Sequence, residues 1–408
     1  MMSFGPRLWI VVALSLGPAV ANSFARFAYA LLLPAMRAEM GLTYAQAGAL
    51  NTANALGYLA GALLAARFVS SLGNRRLFAA GMIVTAAALA ASGLSADYAT
   101  QLVLRALAGV GGAVVFICGA VLASNVYPDE PRLASSAIAV YFGGAGAGIL
   151  LTGAGIPWLL NALGSGAWRH AWIAIGIASA AGTVLAIRAA RRVDEPATPG
   201  EKSRWPVRAF VAALTSYFLF GVGYIAYMTF VVAWMVSHGA SAFDVAATWG
   251  TLGIATMLAP VAWRVARARW HPSRALALAG SILAVGAAIP LLATSRAAMI
   301  VSAFLFGLAM FTVPTSVTDL VKRALPKAAW GSAVAVFTVV FAIGQAIGPV
   351  LAGWLADLTQ SLYAGLAASV GVLLAASVTA LLQDARRAEI EADDGPLAST
   401  TATPSRQR

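Results

Sequence analysis

Apolar residues come in twelve long runs, separated by short turns and by one longer polar stretch near the middle of the chain. The first six runs cover 8–36, 44–66, 77–94, 100–127, 133–160 and 168–189. The second six cover 209–236, 243–263, 275–294, 297–321, 330–356 and 362–383. Each is near or above the ~20 residues that a helix needs to cross a hydrocarbon core, so each predicts a membrane-spanning helix. The polar stretch, 188–208, contains Pro196, Pro199, Gly200 and Pro206, which break any helix crossing it, and charges that keep it in water. The pattern predicts an all-α membrane protein of twelve transmembrane helices in two six-helix bundles. The N-terminal bundle spans 1–189, a basic linker 190–208, and the C-terminal bundle 209–384. A tail over 385–408, acidic and then Ser/Thr/Pro-rich, reads as disordered. Ala19-Val20-Ala21 has the look of a signal-peptide cleavage site, but the apolar run continues past it and eleven more follow.

Composition agrees with this: 60% of residues are hydrophobic, 10% are charged, and the mean hydropathy is +0.81. The formal charge of +12 raises nucleic acid as a partner. The distribution of the charge argues against it, because the basic residues sit in short loops between spans. With both termini on one side, 22 Lys and Arg fall on that side, against Arg37, Arg169 and Arg296 on the other. The asymmetry predicts a multi-pass protein of the cytoplasmic (inner) membrane with both termini in the cytoplasm. The lone cysteine, Cys118, excludes an intramolecular disulfide and any Cys-based zinc site, and reads as a small buried hydrophobe.

The halves resemble each other. Gly144, Gly148 and Gly153 in the fifth run recur as Gly344, Gly348 and Gly353 in the eleventh, and Tyr29, Gly41 and Thr43 pair similarly with Tyr227, Gly239 and Ser241. A nearly constant offset predicts a duplicated six-span unit.

Several chemistries drop out. The sequence has no phosphate-binding G-x-x-x-x-G-K-[ST] loop, and His170, His238 and His271 stand apart at run ends, without metal-ligand spacing. Neither a metal nor a cofactor is expected, and the chain does not read as an enzyme. Gly144-Ala145-Gly146-Ala147-Gly148 lies inside an apolar run, where glycines let helices pack closely.

The informative residues are polar ones at membrane depth. Asn22, Arg26 and Tyr29 follow helical spacing in the first run; Asn51, Asn54 and Tyr58 do so in the second. Arg105 stands in the fourth, Tyr217, Tyr224 and Tyr227 share a face of the seventh, and Thr312, Thr315, Ser316 and Asp319 a face of the tenth. An arginine at a helix centre costs about 2.5–3.5 kcal/mol on insertion scales, which this chain tolerates, so the arginines alone do not establish a function. Arg105 could snorkel to an interface, Arg26 could satisfy helix carbonyls, and Asn51 and Asn54 could join helices. Asp319 reads as an ion pair with Lys322 and Arg323 at a helix end.

Two halves of six spans around a central loop resemble the major facilitator superfamily of transporters. Arg105, Gly109, Gly111 and Ala113 match its fourth-span R-x-x-x-G-x-G-x-A pattern. Gly144, Gly148 and Gly153 resemble its fifth-span glycine motif, with Ile149 where the antiporter form has proline; the eleventh run does show Gly348-Pro349. Ser70-Ser71-Leu72-Gly73-Asn74-Arg75-Arg76 aligns with its D-R-x-G-R-R loop but lacks the aspartate and first arginine, which puts the usual gating salt bridge in doubt. Within the superfamily, the segments 24–34 and 52–61 resemble the bacterial YbfB/YjiJ-type transporters.

The resemblance implies a secondary transporter of a small organic solute, rocking its bundles around a mid-membrane site lined by the first, fourth, seventh and tenth spans. The expected substrate-binding residues are Arg26, Tyr29, Asn51, Asn54, Arg105, Tyr224, Tyr227 and Thr315. Those expected to gate or pack helices are Gly73, Arg75, Gly109, Gly144, Gly148, Gly344, Gly348 and Pro349. With no carboxylate at mid-membrane depth, an anionic or zwitterionic metabolite is favoured over proton-coupled export of hydrophobic drugs. A non-transporting receptor or scaffold is the remote alternative. Expected partners are the bilayer, the solute and a co- or counter-transported proton, with the protein a monomer.

Overall fold

A computed structural model describes residues 7–195 and 205–383, which form helices joined by short turns. Most of the linker's polar centre, 196–204, and the tail expected to be disordered lie outside the described residues.

Eleven helices are long and apolar enough to cross a membrane, and one of them, Tyr44–Ser92, is two spans in one. It breaks at Gly73, whose φ of 78° and ψ of 159° are open to glycine and strained for other residues, so the chain turns there without leaving a loop. The spans are α1 (Leu8–Met40), α2 (44–72), α3 (74–92), α4 (Tyr98–Ser124), α5 (Pro131–Leu163), α6 (Trp168–Ala190), α7 (Val211–Ser237), α8 (Ala242–Ala262), α9 (Pro272–Leu292), α10 (Arg296–Ala324), α11 (Trp330–Thr359) and α12 (Leu362–Leu381). This is the twelve-helix, two-bundle fold that the apolar pattern predicts.

Local chemistry sets several starts. Thr43 and Gln46 make a capping box at α2, Ser241 and Asp244 another at α8, and Asp97 accepts the Thr100 amide at the start of α4. Each such cap contributes about 1 kcal/mol. Leu63, Ile83, Leu185 and Val261 are exposed on the outer faces, the arrangement a bilayer requires.

The duplicated glycines do the same job in each half. Gly144 and Gly148 of α5 press on α1: a Cβ on Gly144 would strike the Ser15 carbonyl, and one on Gly148 would lie 2.6 Å from Ser23 Cβ. In the second half, Gly344 and Gly348 of α11 press on α7, against the Phe218 and Val222 carbonyls. Gly153 of α5 meets Trp249 of α8, and Gly353 of α11 meets Tyr44 of α2. These last two contacts cross between the halves, where α2 packs on α11, α5 on α8 and α1 on α7.

The inter-half contacts are uneven along the membrane normal. One side, the basic side, carries the described chain ends Arg7 and Gln383 and loops bearing Arg75, Arg132, Arg191, Arg267 and Arg323. On the opposite side the halves are locked. The Asp357 carboxylate accepts the Tyr44 and Ala45 amides, both at 2.8 Å, capping the start of α2 from the end of α11. Deeper in, Thr52 donates to the Ala346 carbonyl and Asn51 to the Thr229 hydroxyl (2.7 Å). Among the described residues, every hydrogen bond between the halves lies from mid-membrane to this side. The protein is closed opposite the basic side.

Candidate functional site

Midway through α1 the helix changes type. Pro18 precedes a π-helical segment, Ala19–Phe27, whose nine residues are all buried. π-helical turns are frequent at functional sites, where the wider turn shifts side chains from the regular helical faces. Asn22 and Arg26 lie inside this segment and Tyr29 just beyond it, so the spacing that relates them is not that of a regular α-helix.

Arg26 projects from this segment and is 5% exposed. Its Nε donates to Asn54 Oδ1 (3.1 Å), and its guanidinium lies 4.8 Å from the Tyr58 ring centroid. Its Nη2, buried, meets no acceptor, and Nδ2 of Asn22 is unmatched too. On the facing half, Tyr224 lies beside Arg26 and accepts from Gln345 Nε2, whose Oε1 is also without a partner.

Arg105, fully buried on α4, is held differently. Nη1 donates to the Ala25 carbonyl and Nη2 to Asn51 Oδ1 (3.4 Å), and the guanidinium lies over the rings of Tyr29 (4.8 Å) and Trp172 (5.6 Å). Asn54 Nδ2 in turn donates to the Arg105 carbonyl, and a Cβ on Gly109, one turn along, would strike the Asn54 carbonyl. Arg26, Asn51, Asn54, Arg105 and Tyr224 thus form one polar cluster at the junction of the halves.

Three expected residues stand elsewhere or are already engaged. Tyr29 borders the cluster, but its hydroxyl donates to the Ala47 carbonyl (2.7 Å). Tyr227 turns into the second half, bonding the Ser302 hydroxyl and stacking on Phe306 at 4.4 Å. Thr315 bonds back to the Phe311 carbonyl of its own helix. Asp319 pairs with Arg267 across to the short helix after α8, rather than with Lys322 or Arg323, because two parallel bonds of 2.8 and 3.1 Å are open to it there.

Aromatic rings lie on the basic-side flank of the cluster. Tyr217, Phe220, Tyr224 and Phe341 stack in near-parallel layers, with centroid separations from 4.6 to 5.9 Å. On the other half, Tyr58, Phe116 and Phe142 make a second wall. The described carboxylates all sit in loops or near helix ends, so the two arginine charges have no counter-ion inside.

The loop at Gly73 has found a substitute for its missing acid. Glu195, from the first residues of the linker, accepts the amides of Asn74 and Arg75 and meets Arg75 Nε at 3.4 Å. Burial pushes the Glu195 carboxyl up, but these hydrogen bonds outweigh it and hold it below its ordinary value. Pro349 stands beside α2, where its carbonyl abuts Gly48.

Gln345 and Thr229 escaped the sequence reading. A glutamine inside the apolar run Ala342–Val350 was the available signal for the first; a threonine bonding its own helix gives none for the second.

A family model described as an uncharacterised MFS-type transporter YbfB matches residues 18–381. Among solved structures, a bacterial homologue of the human lysosomal transporter Spinster, inward-facing and unoccupied, aligns with a TM-score of 0.64 at 16% identity, covering 96% of this chain and 98% of that one. The nucleoside transporter NupG aligns with a TM-score of 0.67 at 11% identity, covering 95% and 99%. No curated protein matches the sequence. At such identities the structures speak for the fold alone.

Proposed function

We propose, for a chain that belongs to the YbfB family of MFS-type transporters, that the solute is a small organic anion with an apolar, planar body, held at its charged end by Arg26. The protein itself is a multi-pass membrane transporter working by alternating access, and not an enzyme. The observation that carries the proposal is the unmatched donor set. Arg26 Nη2 and Asn22 Nδ2 are buried donors with nothing to bond, around a cation with no internal counter-ion. A carboxylate or phosphate would satisfy them, whereas a hydrophobic cation would add charge to charge.

Arg105 serves here as a positioning residue, since the Ala25 carbonyl and Asn51 already occupy its Nη groups and only its buried Nε is left unmatched. The ring walls suit a flat apolar body, which stacks at little entropic cost. Gln345 Oε1 is an unused acceptor for a hydroxyl or amide on the solute, which also admits a zwitterion. In this reading the basic side faces the cytoplasm of the inner membrane, in keeping with the excess of Lys and Arg, and the closed side faces outward. Thermal-shift measurements on purified protein test it: aromatic monocarboxylates should raise the unfolding midpoint, and their amides should not. Equal shifts from acid and amide would refute the anion.

A further inference from the structure

At the basic-side end of the first half, α1 and α6 leave a groove of about 520 Å³ on the bilayer-facing surface. Val12, Leu16 and Leu185 form its floor, with Val12 and Leu185 each 51% exposed. Arg188, Arg191 and Arg192 form its rim, together with Trp9. The spacing explains this: Trp9, Val12, Ala13 and Leu16 fall on one face of α1, Leu185 and Arg188 lie three residues apart on α6, and Arg191 and Arg192 follow in the turn just after it.

Trp9, exposed at the basic-side start of α1, is of the residue type that settles between headgroups and acyl chains. The Arg192 guanidinium lies 5.8 Å from its ring centroid, which fixes the cation over the groove. Among the described residues, none of the three arginines is in an ion pair. The lining holds three guanidiniums and no carboxylate. It therefore offers a phosphate several charge-assisted bonds and offers an ammonium headgroup none.

We propose that this groove is a binding site for one glycerophospholipid of net negative charge, its phosphate on Arg188, Arg191 and Arg192 and an acyl chain along Val12, Leu16 and Leu185. A zwitterionic lipid has the same chain but half of its headgroup unmatched. A free phosphate ester has the headgroup but leaves the apolar floor uncovered. The proposal is independent of what the central cluster transports.

The test uses the full chain in nanodiscs of phosphatidylcholine, with and without phosphatidylglycerol. Phosphatidylglycerol should raise the unfolding midpoint of the wild type. The variant R188Q/R191Q/R192Q should lose that gain, with apparent lipid affinity down about a hundredfold, as expected for three basic groups at a membrane surface. The variant R264Q/R269Q/R274Q removes three exposed arginines from the other half and should keep the gain. Soluble glycerol phosphate should give no gain. An equal loss in both triple variants would overturn the site in favour of diffuse surface charge, and a gain from glycerol phosphate would overturn the lipid. A second readout needs no arginine variant. Brominated phosphatidylglycerol should quench tryptophan fluorescence more than brominated phosphatidylcholine does, and Trp9→Phe should remove the difference. Equal quenching by the two lipids would overturn the proposal even if the triple variant failed to fold.

Discussion

Replacing Arg26 by glutamine separates the charge of the central cluster from its shape. The side chain donates to Asn54, lies within hydrogen-bond reach of the Tyr224 hydroxyl and makes one cation–π contact, to Tyr58. Glutamine can reach towards Asn54 but carries no charge and no second donor aimed at Nη2's position. Folding loses a contact worth about 0.5–2 kcal/mol and is relieved of an uncompensated cation costing about 2.5–3.5 kcal/mol, so the variant should fold at least as well as wild type. Binding should suffer. A hydrogen bond to a charged group contributes about 1.5–3 kcal/mol, and about 1.4 kcal/mol is tenfold, so affinity for an anion should fall ten- to a hundredfold. Lysine, which keeps the charge and loses the planar fork, should lie between. Counterflow in proteoliposomes, using the monocarboxylate that stabilises the wild type most, reads the effect directly. Arg105→Gln should behave otherwise, lowering the unfolding midpoint because the Ala25 carbonyl and Asn51 lose their donor. A folded Arg26→Gln protein that still carries the anion at the wild-type KM would refute the reasoning.

Other outcomes follow from the same contacts. Reporter fusions after Arg192 and in the tail should read as cytoplasmic and one after Gly239 as periplasmic; a periplasmic signal at Arg192 would overturn the orientation. Gly148→Leu and Gly348→Leu should impair transport or folding more than alanine does, since added bulk meets Ser23 and Ala19 in one case and the Val222 backbone in the other; normal transport by both leucine variants would remove those interfaces from the mechanism. Asp357→Asn should weaken the cap on α2 by about 1 kcal/mol, several-fold in the closed-to-open ratio, read as faster alkylation of a cysteine placed at Ala47; unchanged alkylation would exclude the cap as a latch. Glu195 has a depressed carboxyl, so its hold on the Gly73 turn is fully present above the ordinary glutamate value of about 4.3 and is lost as pH falls through the lower folded value. Glu195→Gln should abolish that part of the acid sensitivity of unfolding, and an unchanged acid limb would rule the contact out.

The apolar pattern revealed the architecture because a bilayer leaves the backbone few choices. A helix through hydrocarbon must satisfy its own peptide groups, so twelve runs of sufficient length become twelve spans. The repeated glycines were readable for a related reason: close helix approach in a membrane depends on small residues, and the same spacing in two halves predicts the same contact twice. The join between the second and third spans was less readable. Lengths alone place a loop around Gly73, whereas the backbone turns at that one residue and continues as helix. Nor could spacing show that Glu195, over a hundred residues away, replaces the acid absent from Ser70-Ser71.

The cluster illustrates a sharper limit. Arg26 and Arg105 look alike in the sequence, each a lone cation in an apolar run. Their roles diverge through the π-helical segment that begins after Pro18, a register change that residue spacing does not encode. Irregular backbone at membrane depth persists only where protein groups satisfy it, and Arg105 does so at the Ala25 carbonyl. That engagement turns one arginine inward as structure. The same segment projects Arg26 towards Tyr224 with a donor unspent. In the proposed reading, the fixed cation stabilises the irregular turn from which Arg26 offers its remaining donor, Nη2, to a solute.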